Sequence, residues 1–317
     1  MPGRARRVAV LALALALGTL SACGRRSVAA PPTAPVIDEP GLMIPEDLDL
    51  VVRLDLARLR AVLGIEGAEL LAQLAKQAPV DDPDLGTARF TLSLFAHAQT
   101  AWIGVRPGLA PELTDSVVVL RGDFKGQVPE KLEGVPPWAR PVDLGGSVLY
   151  FERAAPKLRA APSVIYLRGR DLAVIGSEAE VDALERGFKG QRGESSLRAP
   201  ETGLVAAAAR LELLRKRLSA RAPTLSQLFD GAQALSASLD REGESFRVRV
   251  ELGFDSPERA RAVSEALTAV SRALGARGRE WLSKVSIESL GRALSLGLVL
   301  SDRELLAALR CWQSAGC

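Results

Sequence analysis

Apolar and polar residues alternate in short runs along most of the chain, and between these runs lie stretches whose apolar positions recur at helical spacing. Leu48 to Leu54 is one alternating run. It passes directly into a helical pattern from Leu56 to Lys76, with Asp55 at the junction placed to accept the first free amides as an N-cap. Further alternation predicts strands at Ala101 to Arg106, Ser116 to Asp123, Val148 to Glu152, Val164 to Arg168 and Leu172 to Ile175. The last two are joined by a tight turn at Gly169-Arg170. Later in the chain, Leu235 to Asp240 and Phe246 to Phe254 flank a turn at Arg241-Glu242-Gly243-Glu244. Ser256-Pro257-Glu258 then opens a long helix, with serine as cap and proline at the first position. A hairpin around Gly291 leads into a final strand and helix. Antiparallel meanders interrupted by helices predict an α+β fold, with helices packed on one face of each sheet.

Comparison of the chain with itself predicts that this layout occurs as two diverged copies. Arg53-Leu54-Asp55-Leu56-Ala57-Arg58-Leu59-Arg60 resembles Arg210-Leu211-Glu212-Leu213-Leu214-Arg215-Lys216-Arg217, each after an apolar run. Thr91-Leu92-Ser93, Leu94-Phe95 and Ala98-Gln99 match Thr224-Leu225-Ser226, Leu228-Phe229 and Ala232-Gln233. Asp171 to Glu185, with Ser177-x-x-Glu180, parallels Leu296 to Leu309, with Ser301-x-x-Glu304. The order is kept, although a chain rich in Ala, Leu and Arg also aligns with itself by chance. The polar stretch Gln191 to Gly203 is the best boundary, giving a first α+β half at 46–200 and a second at 201–317.

The N-terminus carries an address. Arg4, Arg6 and Arg7 precede an uninterrupted apolar run from Val8 to Leu17, too short for a permanent membrane span and suited to the core of a signal peptide. The run ends in Leu20-Ser21-Ala22-Cys23, which resembles the lipobox of bacterial lipoproteins. That resemblance implies that 1–22 is a lipoprotein signal peptide, that cleavage follows Ala22, and that Cys23 is lipidated on sulfur and becomes the mature N-terminus. A plain secretory cleavage site beside an unrelated cysteine is the competing reading. Gly24 rather than aspartate after the cysteine implies, by resemblance to Gram-negative sorting, a lipid-anchored place in the outer membrane, facing the periplasm or the cell surface. From 23 to 45 the chain carries Pro31, Pro32, Pro35, Pro40 and Pro45 among small residues and is expected to be an extended tether.

Charge changes the picture only by exclusion. The full chain has 41 Lys and Arg against 38 Asp and Glu; removing Arg4, Arg6 and Arg7 with the signal leaves 38 basic residues, and the net charge is zero. A neutral chain offers no electrostatic footprint for nucleic acid. There is no asparagine, which excludes it as ligand, oxyanion donor or glycan acceptor, and a single histidine excludes every multi-histidine metal site. With Cys23 assigned to lipid, Cys311 and Cys317 remain. In an oxidising compartment a disulfide between them would staple the tail.

Catalytic arrangements are missing from the sequence: no G-x-S-x-G elbow, S-x-x-K pair, Walker loop or G-x-G-x-x-G occurs. His97 lies between alanines on an apolar helix and is expected to have a structural or surface role. Asp81, Asp82 and Asp84 lack the ligand spacing of a calcium loop and are expected to be solvated. Trp102 falls within a strand and is expected to be core, whereas Trp138, after Pro136-Pro137, is the best candidate for an exposed contact residue, a tryptophan folded back onto the sheet being the commoner outcome. The basic series Arg210, Arg215, Lys216, Arg217 and Arg221 suits a solvated helix end. No catalytic residue, metal or cofactor is expected.

The overall pattern resembles lipoproteins of GC-rich Gram-negative bacteria whose ectodomains repeat strand-then-helix units. It implies a non-catalytic binding or scaffold protein held to a membrane by its lipid, with another envelope protein or a surface polymer as partner. Two alternatives stay open: a carboxylate-dependent hydrolase of envelope glycans or peptides, favoured by paired acids beside an exposed Trp138, and a carrier of an apolar ligand.

Overall fold

The computed structural model describes residues 39–66, 85–106, 114–126, 138, 142–143, 148–153, 162–188, 197–211, 230–275 and 283–313. They belong to two compact units that divide between Ser196 and Leu197, within the polar stretch from Gln191 to Gly203.

In the first unit, β1 (Leu50–Asp55) runs into α1 (Leu56–Leu63), and α2 (Leu85–His97) runs into β2 (Ala98–Arg106). There follow β3 (Asp115–Gly122), β4 (Val142–Asp143), β5 (Val148–Glu152), β6 (Val164–Arg168), β7 (Leu172–Gly176) and α3 (Val181–Phe188). The strands pair antiparallel in the order β1-β2-β3-β7-β6-β5-β4. Asp55 caps α1 as expected, its Oδ1 accepting from the Arg58 amide at 3.0 Å. The helix does not continue to Lys76 as a single rod. It closes at Leu63, where Gly64 turns left-handed at φ 60° and the Ile65 amide bonds back to the Arg60 carbonyl at 3.1 Å.

The α+β class expected from the sequence is the one observed, an antiparallel sheet with a few helices. Register places Gly104, Val117, Gly176, Val164 and Tyr166 on one face, where Ile44, Leu48 and the α3 residues Leu184 and Phe188 lie against them. On the opposite face Ile103, Val118, Leu120, Ile165, Leu167, Ala173 and Ile175 are also buried. With both faces shielded from water, β7 is buried at every position and β6 at all but its last.

The second unit runs β8 (Val205–Arg210), β9 (Ala232–Glu242), β10 (Ser245–Phe254), α4 (Pro257–Gly275), β11 (Ser286–Leu290), β12 (Ala293–Ser301) and α5 (Asp302–Gln313). Its strands are antiparallel in the order β8-β9-β10-β12-β11. Here the alternation is clean. Leu235, Leu239, Val248, Leu252, Leu294, Leu296, Leu298 and Ile287 share one face by register, and Ser236, Ser238, Arg249, Glu251, Ser295 and Glu288 share the other. α4 covers part of the apolar face through Ala260 and Val263, which join Leu252, Phe254 and Leu294 in one buried cluster. Burying such a set removes several side chains from water at about 25 cal/mol per Å² of apolar surface, the main stabilising contribution to this unit.

The two units share a strand order. Reading β1-β2-β3-β7-β6 against β8-β9-β10-β12-β11, every neighbour corresponds and every pair is antiparallel. They differ between their third and fourth corresponding strands in the chain: the first unit places β4 and β5 there, and the second places α4.

Candidate functional site

The residues that carry chain from the expected tether into the first unit form a strap across one face of its sheet. Pro40–Met43 is a short 3-10 turn, followed by Ile44 and a turn at Glu46-Asp47 before β1. Met43, Ile44 and Leu48 are buried. Glycine makes room for them. A Cβ on Gly104 would lie 2.7 Å from Ile44 Cγ2 and closer still to Leu48 Cδ1, and one on Gly41 would lie 3.1 Å from Trp102 Nε1. The Asp49 amide then bonds to the Val105 carbonyl at 3.1 Å, joining strap to sheet. Pro40 and Pro45, counted with the tether on composition, therefore belong to the fold, because the apolar residues between them find a glycine-lined seat.

An ion cluster fastens the strap. Arg106, at the end of β2, bonds through Nη1 to Glu180 Oε1 at 2.5 Å and through Nη2 to Asp47 Oδ2, with Asp115 Oδ2 3.6 Å from Nη1. The Glu180 side chain is 2% exposed, whereas Asp47 is 65% exposed, so the cluster runs from core to surface. Burial pushes the Glu180 carboxyl above its ordinary range, partly offset by the Arg106 guanidinium. Burial alone would lower Arg106, but the facing Glu180, Asp47 and Asp115 outweigh it and raise it. A carboxyl this enclosed and already held by a guanidinium is poorly placed to exchange protons with a substrate.

Ser177-x-x-Glu180 and Ser301-x-x-Glu304 match in sequence and differ in use. Ser301 and Glu304 make a reciprocal capping box: the Ser301 amide donates to Glu304 Oε2 at 2.9 Å, and the Glu304 amide donates to Ser301 Oγ at 3.3 Å. Lys284 Nζ adds a contact of 2.6 Å to the same carboxylate, and Glu304 is held down to about 2, first by Lys284 and then by Ser301. Ser177 instead accepts from the Ser116 amide at 3.2 Å, which frees Glu180 for Arg106. No pattern in the sequence separates the two cases, since the distinction lies in whether an arginine waits nearby in space.

An aromatic stack lies on the same face as the strap. Tyr150 and Tyr166, paired across β5 and β6, have ring centroids 5.0 Å apart, and Tyr166 is 4.8 Å from Phe188 of α3. Burial raises both phenols first, followed by Glu152 and Glu185 at Tyr150 and by Tyr150 and then those carboxylates at Tyr166. All three rings are buried against one another and read as core.

Trp138, the candidate for an exposed contact, is 8% exposed, the folded-back outcome. Its backbone makes an antiparallel bridge with Arg153, just beyond β5, and this draws the residue onto the sheet. With it goes the aromatic platform expected of a glycan-cleaving site. Trp102 lies in β2 but is half-buried where core was expected, and His97 ends α2 exposed, its Nδ1 2.8 Å from the Ser93 carbonyl oxygen. Cys311 falls within α5. Leu20, Ser21, Ala22 and Cys23, the three aspartates at 81, 82 and 84, and Cys317 lie outside the described residues, and with them the cleavage, lipidation and disulfide expectations. Among the described residues no group of three or more His, Cys, Asp or Glu is arranged to hold a metal ion, and no helix is long and apolar enough to cross a membrane.

No family model matches the chain, and no curated protein matches it in sequence. Among solved structures it is similar to TP0453 of Treponema. Crystal form III covers 86% of this chain and 97% of that one at 10% identity and a TM-score of 0.46. Crystal form IV gives the same coverage and identity with a TM-score of 0.47.

Proposed function

We propose that the chain is a lipoprotein of the bacterial envelope, anchored through Cys23 in the outer membrane, whose folded part is a non-catalytic binding or scaffold body. The observation that carries this reading is the run Leu20-Ser21-Ala22-Cys23 behind an apolar segment flanked by arginines. Two or three acyl chains, each methylene contributing about 0.8 kcal/mol when buried, would make the attachment effectively permanent. The strap supports it from the other side, since a chain pulled from its N-terminus needs a firm point of entry into the fold, and Met43, Ile44, Leu48 and Asp47 supply one. The shared strand order of the two units supports their descent from one duplicated unit.

The test is the intact mass of protein extracted from native membranes. A chain beginning at Cys23 and carrying diacylglycerol, absent from Cys23→Ser, is the expected result. An unlipidated wild-type chain recovered in the soluble fraction would overturn the reading.

A further inference from the structure

We infer that the outer edge of β11 is a strand-addition site for an extended polypeptide segment carrying a cationic residue. This names the partner class for the binding body proposed above and so rests on that reading. The correspondence between the units supplies the first argument. In the first unit β6 has an antiparallel neighbour on each side, β7 and β5, with Val148–Glu152 filling the outer position. The corresponding strand of the second unit is β11. It pairs with β12 on one side, and no described residue pairs with it on the other.

The exposed large hydrophobic side chains among the described residues are Leu290 (67%), Val299 (45%) and Val270 (44%). Leu290 ends β11, whereas Val299 lies two residues past the last β12 position that pairs with β11, and Val270 is on α4. An added strand would pass beside Leu290 and satisfy the outward backbone groups.

The backbone geometry says which groups are open. β11 and β12 are joined by two residues, so Leu290 and Ala293 form the hydrogen-bonded pair that closes the hairpin, and Glu288-Ser295 and Ser286-Gly297 repeat it. The amides and carbonyls of Ile287 and Ser289 therefore point outward. A strand of five residues offers few such groups, which limits unselective pairing.

Charge selects the occupant. Glu288 is the one charged residue within β11, is exposed, and has no ion-pair partner among the described residues. A second copy added antiparallel about the centre of the strand would oppose Glu288 to itself. A lysine or arginine in the incoming segment would instead make a favourable cross-strand pair.

The test uses the full chain in detergent and two fluorescein-labelled nine-residue peptides of alternating Val and Thr, one with Lys at its centre and one with Glu. Wild type should bind the Lys peptide up to about fivefold more tightly than the Glu peptide, the size of a cross-strand charge preference. Glu288→Lys should invert that order. Ser289→Pro, which removes an outward amide without touching the β12 ladder, should weaken both peptides at least tenfold while the circular dichroism spectrum is retained. Binding unaffected by Ser289→Pro, charge preference unaltered by Glu288→Lys, or no binding of either peptide would each overturn the assignment. Mass spectrometry of Cys23 on the same preparation separates the two readings: a lipidated protein that ignores both peptides sinks strand addition alone, and an unlipidated protein that binds them sinks only the anchor.

Discussion

The amide of Phe254 donates to the carbonyl of Arg292 at 2.8 Å. Phe124 makes the same bond to Arg170 at 2.8 Å in the first unit. Each arginine follows a left-handed glycine, Gly291 at φ 60° and Gly169 at φ 55°, in the turn of its unit's last hairpin. Both phenylalanines are buried where the neighbouring strand ends. The hairpin turn is thus fastened to the adjacent strand by its backbone while the ring enters the core, and the positive φ sets the direction of the arginine carbonyl.

A Cβ on Gly291 would meet nothing within 4 Å, so substitution there tests the backbone alone. Gly291→Ala should destabilise the protein by about 1 to 2 kcal/mol, the cost of a left-handed alanine. Gly291→Asn should recover a good part of this, because asparagine tolerates that region. Urea unfolding of the two variants measures the difference. Equal midpoints for wild type and Gly291→Ala would mean that the turn relaxes to another conformation.

Gly104 tests the seat of the strap. Its absent Cβ leaves the space that Ile44 and Leu48 occupy. Gly104→Ala should cost about 1 to 3 kcal/mol by overpacking. Combining it with Leu48→Ala should cost less than the sum of the two single changes, because the truncated leucine vacates the same space. A double-mutant cycle in urea checks this, and strict additivity would show that the strap does not meet β2 at Gly104.

Strand positions were largely legible because alternation reports them directly. Val148–Glu152 and Val164–Arg168 coincide with the expected ranges, and Asp55 and Ser256 cap where the sequence placed them. What composition hid was packing of small segments. Pro40 and Pro45 have the look of a tether, yet Met43 and Ile44 between them are core. The continuous apolar runs Val164 to Leu167 and Leu172 to Ile175 did carry a signal that both faces of the first sheet are covered, since a strand half open to water alternates. Glu180 was not legible at all. Its role depends on Arg106, 74 positions away and joined only through the β2-β3-β7 pairing.

The Glu180 carboxyl has a definite pH signature. Its pKa in the fold is raised by burial above the ordinary 4.5, so the folded state holds the proton longer than the unfolded chain does. Its contribution to stability is then fully present below the ordinary pKa and is lost as pH rises through the raised value. The stability difference between wild type and Glu180→Gln should therefore fall as pH rises from 4 towards neutrality. Unfolding midpoints of the pair across that range measure it, and a difference that grows with pH would mean that the Arg106 ion pair dominates over burial.

Glu304 should behave in the opposite sense. Lys284 and the two bonds from Ser301 hold its carboxyl at about 2, so the stabilisation it gives is present above the ordinary carboxyl pKa and is lost as pH falls through about 2. Removing the hydroxyl by Ser301→Ala should cost about 1 kcal/mol as the loss of an N-cap and should move the Glu304 titration upward. Lys284→Met should raise the same pKa while leaving the cap in place, because Lys284 reaches the carboxylate through Oε1 and Ser301 through Oε2. Carboxyl-detected NMR titration of the three proteins distinguishes these contributions. If Glu304 titrates near 4 in wild type, the capping box is open in solution and the start of α5 is held by the backbone alone.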